Sequence, residues 1–165
     1  MSEKANTVPK VLVLYYSRSG NTKKMAVAVE EGAKGAGAET SLVNVKEANV
    51  DMLLEYDGII VGTPTYYGVA AGALKEFFDK SVKHHGKLTG KVGGAFSSAM
   101  ALGGGMETAI MDLVQIMLVH GMIIQGQAKG GNHYGVASIN EPDQEVIDEC
   151  KKLGERVAKL AGKLA

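Results

Sequence analysis

The sequence predicts a single-domain α/β fold, in which a doubly wound, mostly parallel sheet carries helices on both faces. The first observation is that five short apolar runs alternate with stretches of helical periodicity along the chain. The second is the length of 165 residues, which suits one core, and the third is the lack of any repeat or interdomain linker. In such a sheet the crossovers are right-handed, and ligands bind beyond the carboxyl ends of the strands.

The predicted strands and helices follow one another in order. A largely apolar run from Val11 to Tyr16 forms the first strand, and Gly35 ends the helix after it. Gly121 marks the end of the third helix, and Pro142 the start of the fourth. The predicted strands are 10–16, 40–45, 59–61, 91–98 and 122–125, and the predicted helices are 20–35, 70–85, 106–120 and one from about residue 142.

Two segments are predicted to lack regular structure. Residues 1–9 are polar, end in Pro9 and form a short disordered lead to a domain of residues 10–165. Residues 127–140 are polar and glycine-rich, and the sequence predicts a loop there.

The composition argues against several kinds of partner. Lys+Arg and Asp+Glu both total 18, and because no basic stripe is visible, nucleic-acid binding is not expected. No apolar run approaches the ~20 residues of a membrane span, and no signal-peptide core is present. The single cysteine, Cys150, leaves no internal disulfide and fits a reducing compartment. We therefore expect a cytoplasmic protein without membrane insertion.

The turn after the first strand predicts a phosphate site. This turn, loop one, reads Ser17-Arg-Ser-Gly-Asn-Thr22 and leads directly into a helix N-terminus. Free N–H groups and the positive end of the helix dipole favour an anion there, and three hydroxyls can donate further hydrogen bonds. Ordinary capping explains the same residues, since Ser19 or Asn21 could be the N-cap. Both interpretations stay open for the turn alone.

Two further loops are expected at the same edge of the sheet. Loop two, residues 64–68, contains Tyr66 and Tyr67, whose faces can stack on a planar ring; packing of one of them on helix 70–85 is the alternative. Loop three, residues 97–105, offers hydroxyls, Met100 and glycines that a ligand can approach closely. The chain has neither a P-loop nor a GxGxxG turn. The ligand that these loops still allow has a single phosphate on loop one and a flat apolar group across loops two and three.

The histidines carry weaker signals. His120 ends the third predicted helix, where stabilisation by the helix dipole explains it as well as a functional role does. Since this helix begins at loop three, His120 could reach a ligand there only across a packed neighbour or a subunit boundary. His84 and His85 are adjacent and do not share a helix face, and no metal site is predicted.

The motifs together resemble a known family. Ser17-x-Ser19-Gly20-x-Thr22 is similar to the phosphate loop of flavodoxins. From residue 10 to 164 the chain resembles the WrbA-type NAD(P)H:quinone oxidoreductases, through the motifs Gly62-Thr-Pro-Thr-Tyr-Tyr-Gly68, Phe96-Ser-Ser98, Gly103-Gly-Gly105, His120-Gly-Met122 and Gly130-Gly-Asn-His-Tyr-Gly135. The resemblance implies a flavodoxin-like five-stranded sheet of order 2-1-3-4-5. Departures from the family are Tyr66 in place of an arginine and the lack of a tryptophan in the short segment 79–91.

The same resemblance implies FMN as the cofactor. Its phosphate would lie on loop one, its isoalloxazine ring against loops two and three, and a catalytic His120 close to the ring. The implied cofactor-binding residues are Ser17, Arg18, Ser19, Gly20, Asn21, Thr22, Pro64, Thr65, Tyr66, Tyr67, Gly68, Ser97, Ser98, Ala99, Met100, Ala101, Leu102, Gly103 and Gly104.

Two functions are therefore expected as alternatives. The first is an enzyme that passes two electrons from NADH or NADPH to a quinone-like acceptor in a ping-pong mechanism, as a dimer or tetramer. The second is a one-electron carrier of the flavodoxin type that docks redox proteins. Such carriers typically surround the flavin with acidic residues, whereas Arg18 and Lys75 lie near the three loops here, and this favours the enzyme.

Overall fold

The computed structural model describes residues 7–165. The strands are β1 (Lys10–Tyr15), β2 (Glu39–Asn44), β3 (Gly58–Tyr66), β4 (Val69–Ala70), β5 (Val92–Ala99), β6 (Ile123–Ile124) and β7 (Val136–Ile139). The α-helices are α1 (Asn21–Gly35), α2 (Gly72–Lys80), α3 (Met106–Val119) and α4 (Gln144–Leu164). Short 3-10 segments occupy Val45–Glu47, Val50–Glu55 and Ser81–His84.

The main sheet is parallel, with the order β2-β1-β3-β5-β6. This confirms the predicted order for the five predicted strands. The alternation along β1 divides the core into two layers. Val11 and Val13 pack with α1 and α4 on one face, whereas Leu12 and Leu14 pack with α2 and α3 on the other. The helices thus cover both faces, as the sequence predicts.

The segment predicted to be a loop, residues 127–140, contains a strand, and that part of the prediction is wrong. β7 pairs in parallel with the carboxyl half of β5, while β6 pairs with its amino half. The fifth strand is therefore divided into two short pieces with a loop between them. The four residues of β7 lie in a glycine-rich stretch whose sequence does not predict a strand. They are extended because they pair with the free edge of β5.

The second helix also differs from its prediction. Residues 70–85 were expected to be one helix, but β4 pairs antiparallel with the end of β3, α2 begins at Gly72, and a 3-10 turn follows. The third strand is longer than the predicted 59–61, since pairing with β5 continues as far as Pro64. Pairing with neighbouring strands makes β3 longer, and the second helix shorter, than the bounds that sequence periodicity predicts.

The amino-terminal segment is described only in part. Of the predicted disordered lead, residues 1–6 lie outside the described residues. Pro9 is buried, and its carbonyl accepts a hydrogen bond of 3.0 Å from the Glu39 N–H. Within residues 7–165, no helix combines the length and the apolar character that crossing a membrane requires.

Helices α1 and α4 approach each other closely through two glycines. A Cβ atom on Gly32 would lie 1.9 Å from the carbonyl oxygen of Lys151, and one on Gly154 would lie 1.9 Å from that of Val29. Backbone atoms cannot move aside as a flexible side chain can. The contact therefore requires glycine on both helices, and it holds α1, which begins at loop one, against the sheet.

We predict that Gly154→Ala lowers the free energy of unfolding by about 1–3 kcal/mol, since the added methyl group forces the two helices apart. Urea denaturation measures this. Gly35→Ala is the matched control, because a Cβ atom there meets no atom within 4 Å. The control should leave stability unchanged or raise it by about 0.4–1 kcal/mol. Equal effects of the two substitutions would contradict the close helix contact.

Candidate functional site

The three predicted loops meet at the carboxyl edge of the sheet. β3 lies between β1 and β5, with Tyr15 paired to Gly62 and Thr63 paired to Ser97. Loops one, two and three follow these three adjacent strands. Part of loops two and three is strand, because β3 continues to Tyr66 and β5 to Ala99. The sheet thus brings together the predicted cofactor-binding residues of all three loops.

Loop one presents backbone N–H groups that the chain itself does not satisfy. Gly20, with φ of 101°, is the N-cap of α1 and has no side-chain cap. The hydroxyl oxygen of Ser17 accepts from the N–H groups of Gly20 at 3.2 Å and Lys23 at 3.3 Å. The N–H groups of Ser19, Asn21 and Thr22 have no acceptor among the described residues. Neither Ser19 nor Asn21 is the N-cap, and loop one has the unpaired donors of an anion site.

A cavity lies beside one of these donors, the N–H group of Ser19. Loop one lines a cavity of about 530 Å³, which also touches β2 and the 3-10 segment after it. Arg18, Lys23 and Glu47 line this cavity, and none of the three forms an ion pair within the described residues. The two cations outnumber the one carboxylate, and this excess of positive charge favours a negatively charged ligand.

Two hydroxyl pairs tie the loops to one another. Thr22 Oγ1 and Ser98 Oγ lie 2.9 Å apart and join the start of α1 to the end of β5. Thr65 Oγ1 and Ser97 Oγ lie 2.8 Å apart and join β3 to β5. Thr22 is only 2% exposed, and both serines are buried. The hydroxyls predicted to bind a ligand therefore also fix the spacing of the three loops.

Loop two is held in place by residues outside the predicted set. The Thr63 hydroxyl donates to the Pro64 carbonyl at 2.8 Å and accepts from the Ala71 N–H at 2.9 Å. The Asp112 carboxylate of α3 accepts from the Ala70 N–H at 2.8 Å. Thr63 stands inside the Gly62–Gly68 motif and could have been found from it. Asp112 carried no sequence signal, because its partner is backbone that only the fold brings near.

Loops two and three touch through glycine backbone. A Cβ atom on Gly105 would lie 2.6 Å from the Cα of Gly68, and both residues have positive φ angles. Gly105 is also the N-cap of α3 and, like Gly20, has no side-chain cap. The chain does cap helices elsewhere, since the Asp143 carboxylate accepts from the Val146 N–H at 2.9 Å at the start of α4. Helix α2, which begins just after loop two, also has no side-chain cap, and all three helices that follow the site loops are thus uncapped by side chains.

The two tyrosines of loop two have different environments. Tyr66 packs edge-to-face against Tyr16 with ring centroids 6.5 Å apart. Burial is the main cause that raises the pKa of Tyr66, nearby Tyr16 also raises it, and Arg18 partly offsets both. Tyr67 is fully exposed and has a φ of 51°, which is uncommon for a residue with a side chain. Its ring is free to contact a ligand.

The remaining residues of loop three form an exposed rim. Met100 and Leu102 are 87% and 85% exposed, and the segment from Ala101 to Gly104 is exposed throughout. The Gly104 N–H donates to the Ala101 carbonyl at 3.1 Å, which closes this turn. Large apolar side chains that are exposed next to a polar loop are typical of a site that contacts an apolar group.

The sequence analysis did not predict one further hydroxyl at the carboxyl edge of the sheet. Ser138 lies in β7, directly opposite Ser98 of β5 in the register. It is 1% exposed, and its hydroxyl oxygen has no partner among the described residues. Because the sequence predicted a loop at 127–140, it gave no reason to place Ser138 beside Ser98.

His120 lies away from the three loops within one chain. It is the C-cap of α3, whereas loop three precedes the first residue of that helix. A helix of 14 residues spans about 20 Å, and this separates His120 from Gly105. Contact between His120 and a ring at the loops, which the sequence resemblance implies, stays a prediction and requires a second copy of the chain.

Two of the other histidines, His84 and His133, have local partners. His84 Nε2 lies 2.7 Å from Asp51 Oδ1, and His133 Nδ1 lies 2.7 Å from the Gln127 carbonyl oxygen. Within residues 7–165, no three His, Cys, Asp or Glu side chains come together as a metal site would require. Cys150 is fully buried, and this burial raises the pKa of its thiol to about 12.

The doubly wound sheet and its ligand loops define a flavodoxin-like protein. The family model of the flavodoxin domain matches residues 12–111, and the chain belongs to this family. The structure also resembles that of a WrbA-like flavodoxin from Agrobacterium tumefaciens, with 28% identity and a TM-score of 0.81. That match covers 95% of this chain and 99% of the other. The flavodoxin-like resemblance predicted from the sequence is confirmed.

Curated relatives carry two different names. A protein named NAD(P)H dehydrogenase (quinone) from Sinorhizobium fredii is 39% identical, and the match covers 94% of this chain and 98% of that protein. A protein named flavodoxin from Aquifex aeolicus is 40% identical, and the match covers 90% of this chain and 85% of that protein. The first alignment runs over 196 positions and the second over 157. Because this chain has 165 residues, the first relative contains insertions that the chain lacks.

We predict that Tyr67→Gly raises the free energy of unfolding by up to about 1 kcal/mol, since glycine adopts a positive φ angle without steric cost. Urea denaturation measures it. Tyr134→Gly is the matched control, because Tyr134 is also exposed but has no positive φ angle. The control should gain nothing. Equal losses of stability in both variants would contradict backbone strain at Tyr67, which we attribute to its place at the ligand site.

Proposed function

We propose that this protein is an FMN-dependent oxidoreductase that transfers two electrons from NADH or NADPH to a quinone-like acceptor. The observation that carries the proposal is loop one, with its unpaired N–H groups, next to an exposed tyrosine and an exposed apolar rim. The relatives named NAD(P)H dehydrogenase (quinone) support the same reaction class.

The residues present fit FMN. The N–H groups of Ser19, Asn21 and Thr22 would bind the phosphate, and the positive end of α1 would stabilise its charge. Tyr66 and Tyr67 of loop two would contact the isoalloxazine ring. The exposed backbone of loop three, from Ala99 to Gly104, would lie along the ring edge, where glycine permits a close approach.

FMN, when bound, supplies a ring system that accepts a hydride from a nicotinamide and passes two electrons to an acceptor. The chain contributes the environment for this chemistry. The N-terminus of α3 at Gly105 would present free N–H groups and the positive end of the helix dipole to negative charge that a bound ring gains on reduction, and the exposed Glu107 of the first turn offsets part of this potential. Loop two is fixed by Thr63 and Asp112, and the ligand position is thereby preorganised.

The surroundings of the site favour small anionic and apolar substrates. Arg18 and Lys23 form no ion pairs within the described residues, and Lys46 lies over the Tyr16 ring at 5.3 Å from its centroid. These cations would attract the phosphates of a nicotinamide nucleotide. Met100 and Leu102 would contact a flat apolar acceptor. A single domain would hold one ring, and donor and acceptor would bind at its open face in turn, which would give ping-pong kinetics.

Anaerobic mixing tests the proposal. We expect NADH or NADPH to bleach the visible absorbance of the FMN-loaded protein, and a naphthoquinone such as menadione to restore it. Double-reciprocal plots of the initial rate against nicotinamide concentration, at several fixed menadione concentrations, should be parallel. Intersecting lines would exclude the alternating use of one site. If neither nicotinamide bleached the flavin, the enzyme assignment itself would fail.

A one-electron carrier is the second candidate, and one observation favours it. The Aquifex aeolicus flavodoxin aligns over 157 positions, whereas the quinone dehydrogenases align only with long insertions. A carrier would bind FMN with the same loops, and the free cations at loop one would then face an acidic protein partner. The mixing experiment separates the two, since a carrier would bind FMN and show negligible reduction by either nicotinamide.

A further inference from the structure

One exposed thioether lies at the rim of the candidate site. The chain has eight methionines, of which Met1 lies outside the described residues. Met100 of loop three is 87% exposed, whereas the other described methionines are buried or half-buried: Met25, Met52, Met106, Met111, Met117 and Met122. Methionine usually fills irregular gaps in an apolar core. Core packing therefore does not explain Met100.

The backbone on both sides of Met100 is fixed by hydrogen bonds. The Ala99 carbonyl accepts from the Asn140 N–H at 2.7 Å, and the Ala101 carbonyl accepts from the Gly104 N–H at 3.1 Å. Ala99 is also the last residue of β5. The Met100 side chain thus extends into solvent from a defined position, directly after a strand that ends at the site.

A thioether at the surface reacts with peroxides. The Sδ lone pair attacks one oxygen of hydrogen peroxide, a sulfur–oxygen bond forms, and the oxygen–oxygen bond breaks. Sulfur loses two electrons and becomes a sulfoxide, while the departing hydroxide takes up the proton of the transferred oxygen and leaves as water. Because a thioether has no proton to lose, exposure rather than a pKa controls this reaction. Among residues 7–165, Met100 is the methionine that peroxide reaches most readily.

The proposed reaction provides a source of this oxidant. Two-electron reduction of a quinone gives a hydroquinone. Dioxygen that takes two electrons and two protons from a hydroquinone becomes hydrogen peroxide, and the quinone is restored. This source of peroxide and the effect on the acceptor both rest on the proposed function, whereas the reactivity of Met100 does not.

Oxidation changes the polarity of the rim. A sulfoxide is polar and accepts hydrogen bonds, whereas the thioether is apolar and flexible. A flat apolar acceptor that covers Met100 would remove the sulfoxide oxygen from water without giving it a hydrogen-bond donor, and this costs free energy. Met100 belongs to neither core layer, and its oxidation should therefore leave the fold intact.

We propose that Met100 is an oxidation site, at which hydrogen peroxide forms a methionine sulfoxide and thereby lowers the affinity of the site for an apolar acceptor. The hydroquinone that the reaction releases then limits further turnover through the peroxide that it forms with dioxygen. A methionine sulfoxide reductase restores the thioether, since a dithiol supplies two electrons and the oxygen leaves as water.

Peptide mass mapping tests the modification. We would treat the FMN-loaded protein with hydrogen peroxide in the absence of nicotinamide, digest it, and locate each added oxygen by fragmentation. Met100 should gain one oxygen at least about tenfold faster than Met52, because the half-buried Met52 is packed against the core. The melting temperature should not change. Equal rates at Met100 and Met52 would overturn the assignment of the site.

Acceptor kinetics test the consequence of the modification. After catalase removes the peroxide, the KM for menadione should be about three- to tenfold higher than before treatment, with kcat unchanged. Met100→Leu has a side chain of similar volume without sulfur, and its KM should be the same before and after treatment. Met52→Leu is the matched control, and its KM should rise on treatment as that of the original protein does.

Two kinetic results would overturn the proposal. A sulfoxide at Met100 without a change in KM would show that this side chain does not contact the acceptor. A KM that still rises in Met100→Leu would place the effect at another residue. Failure of the proposed function is distinguishable from both, since absence of reduction by either nicotinamide leaves the peptide map of Met100 unaffected.

Discussion

Unpaired backbone donors at the start of α1 are the feature on which the candidate site depends. Gly20 takes the N-cap position without a side-chain cap, and the N–H groups behind it have no acceptor in the described part of the chain. The same arrangement occurs at Gly105 at the start of α3, whereas Asp143 caps α4. A buried or half-buried helix end without partners costs free energy, and a bound anion removes that cost. Because no side chain caps them, these N–H groups stay free to bind an anion.

The rest of the fold keeps these donors in register with the ring-binding loops. The parallel pairing of β1, β3 and β5 sets the loops side by side, and the hydroxyl pairs Thr22–Ser98 and Thr65–Ser97 fix their spacing. On the far side of α1, the glycine contact with α4 holds the helix against the sheet. Loss of any of these contacts would move the N-terminus of α1 relative to loop two, since the helix behaves as a rigid rod.

Sequence patterns predicted the parts of the structure that local chemistry controls. The alternation of five strands with amphipathic helices follows from periodicity, and loop one follows from the residues between a strand and a helix. The strand order was implied by the family resemblance. The sequence could not predict β7, because the edge of β5 determines its conformation. It also could not reveal Asp112 and Ser138, whose roles arise from backbone and side chains that are distant along the chain.

A comparison of two flavins tests the central claim most directly. Fluorescence titration of the flavin-free protein with FMN and with riboflavin isolates the phosphate, since the two ligands share the same ring. Several hydrogen bonds to a charged group predict that FMN binds at least about a hundredfold more tightly than riboflavin. Equal affinities would show that loop one does not bind a phosphate, and would contradict the account of this site.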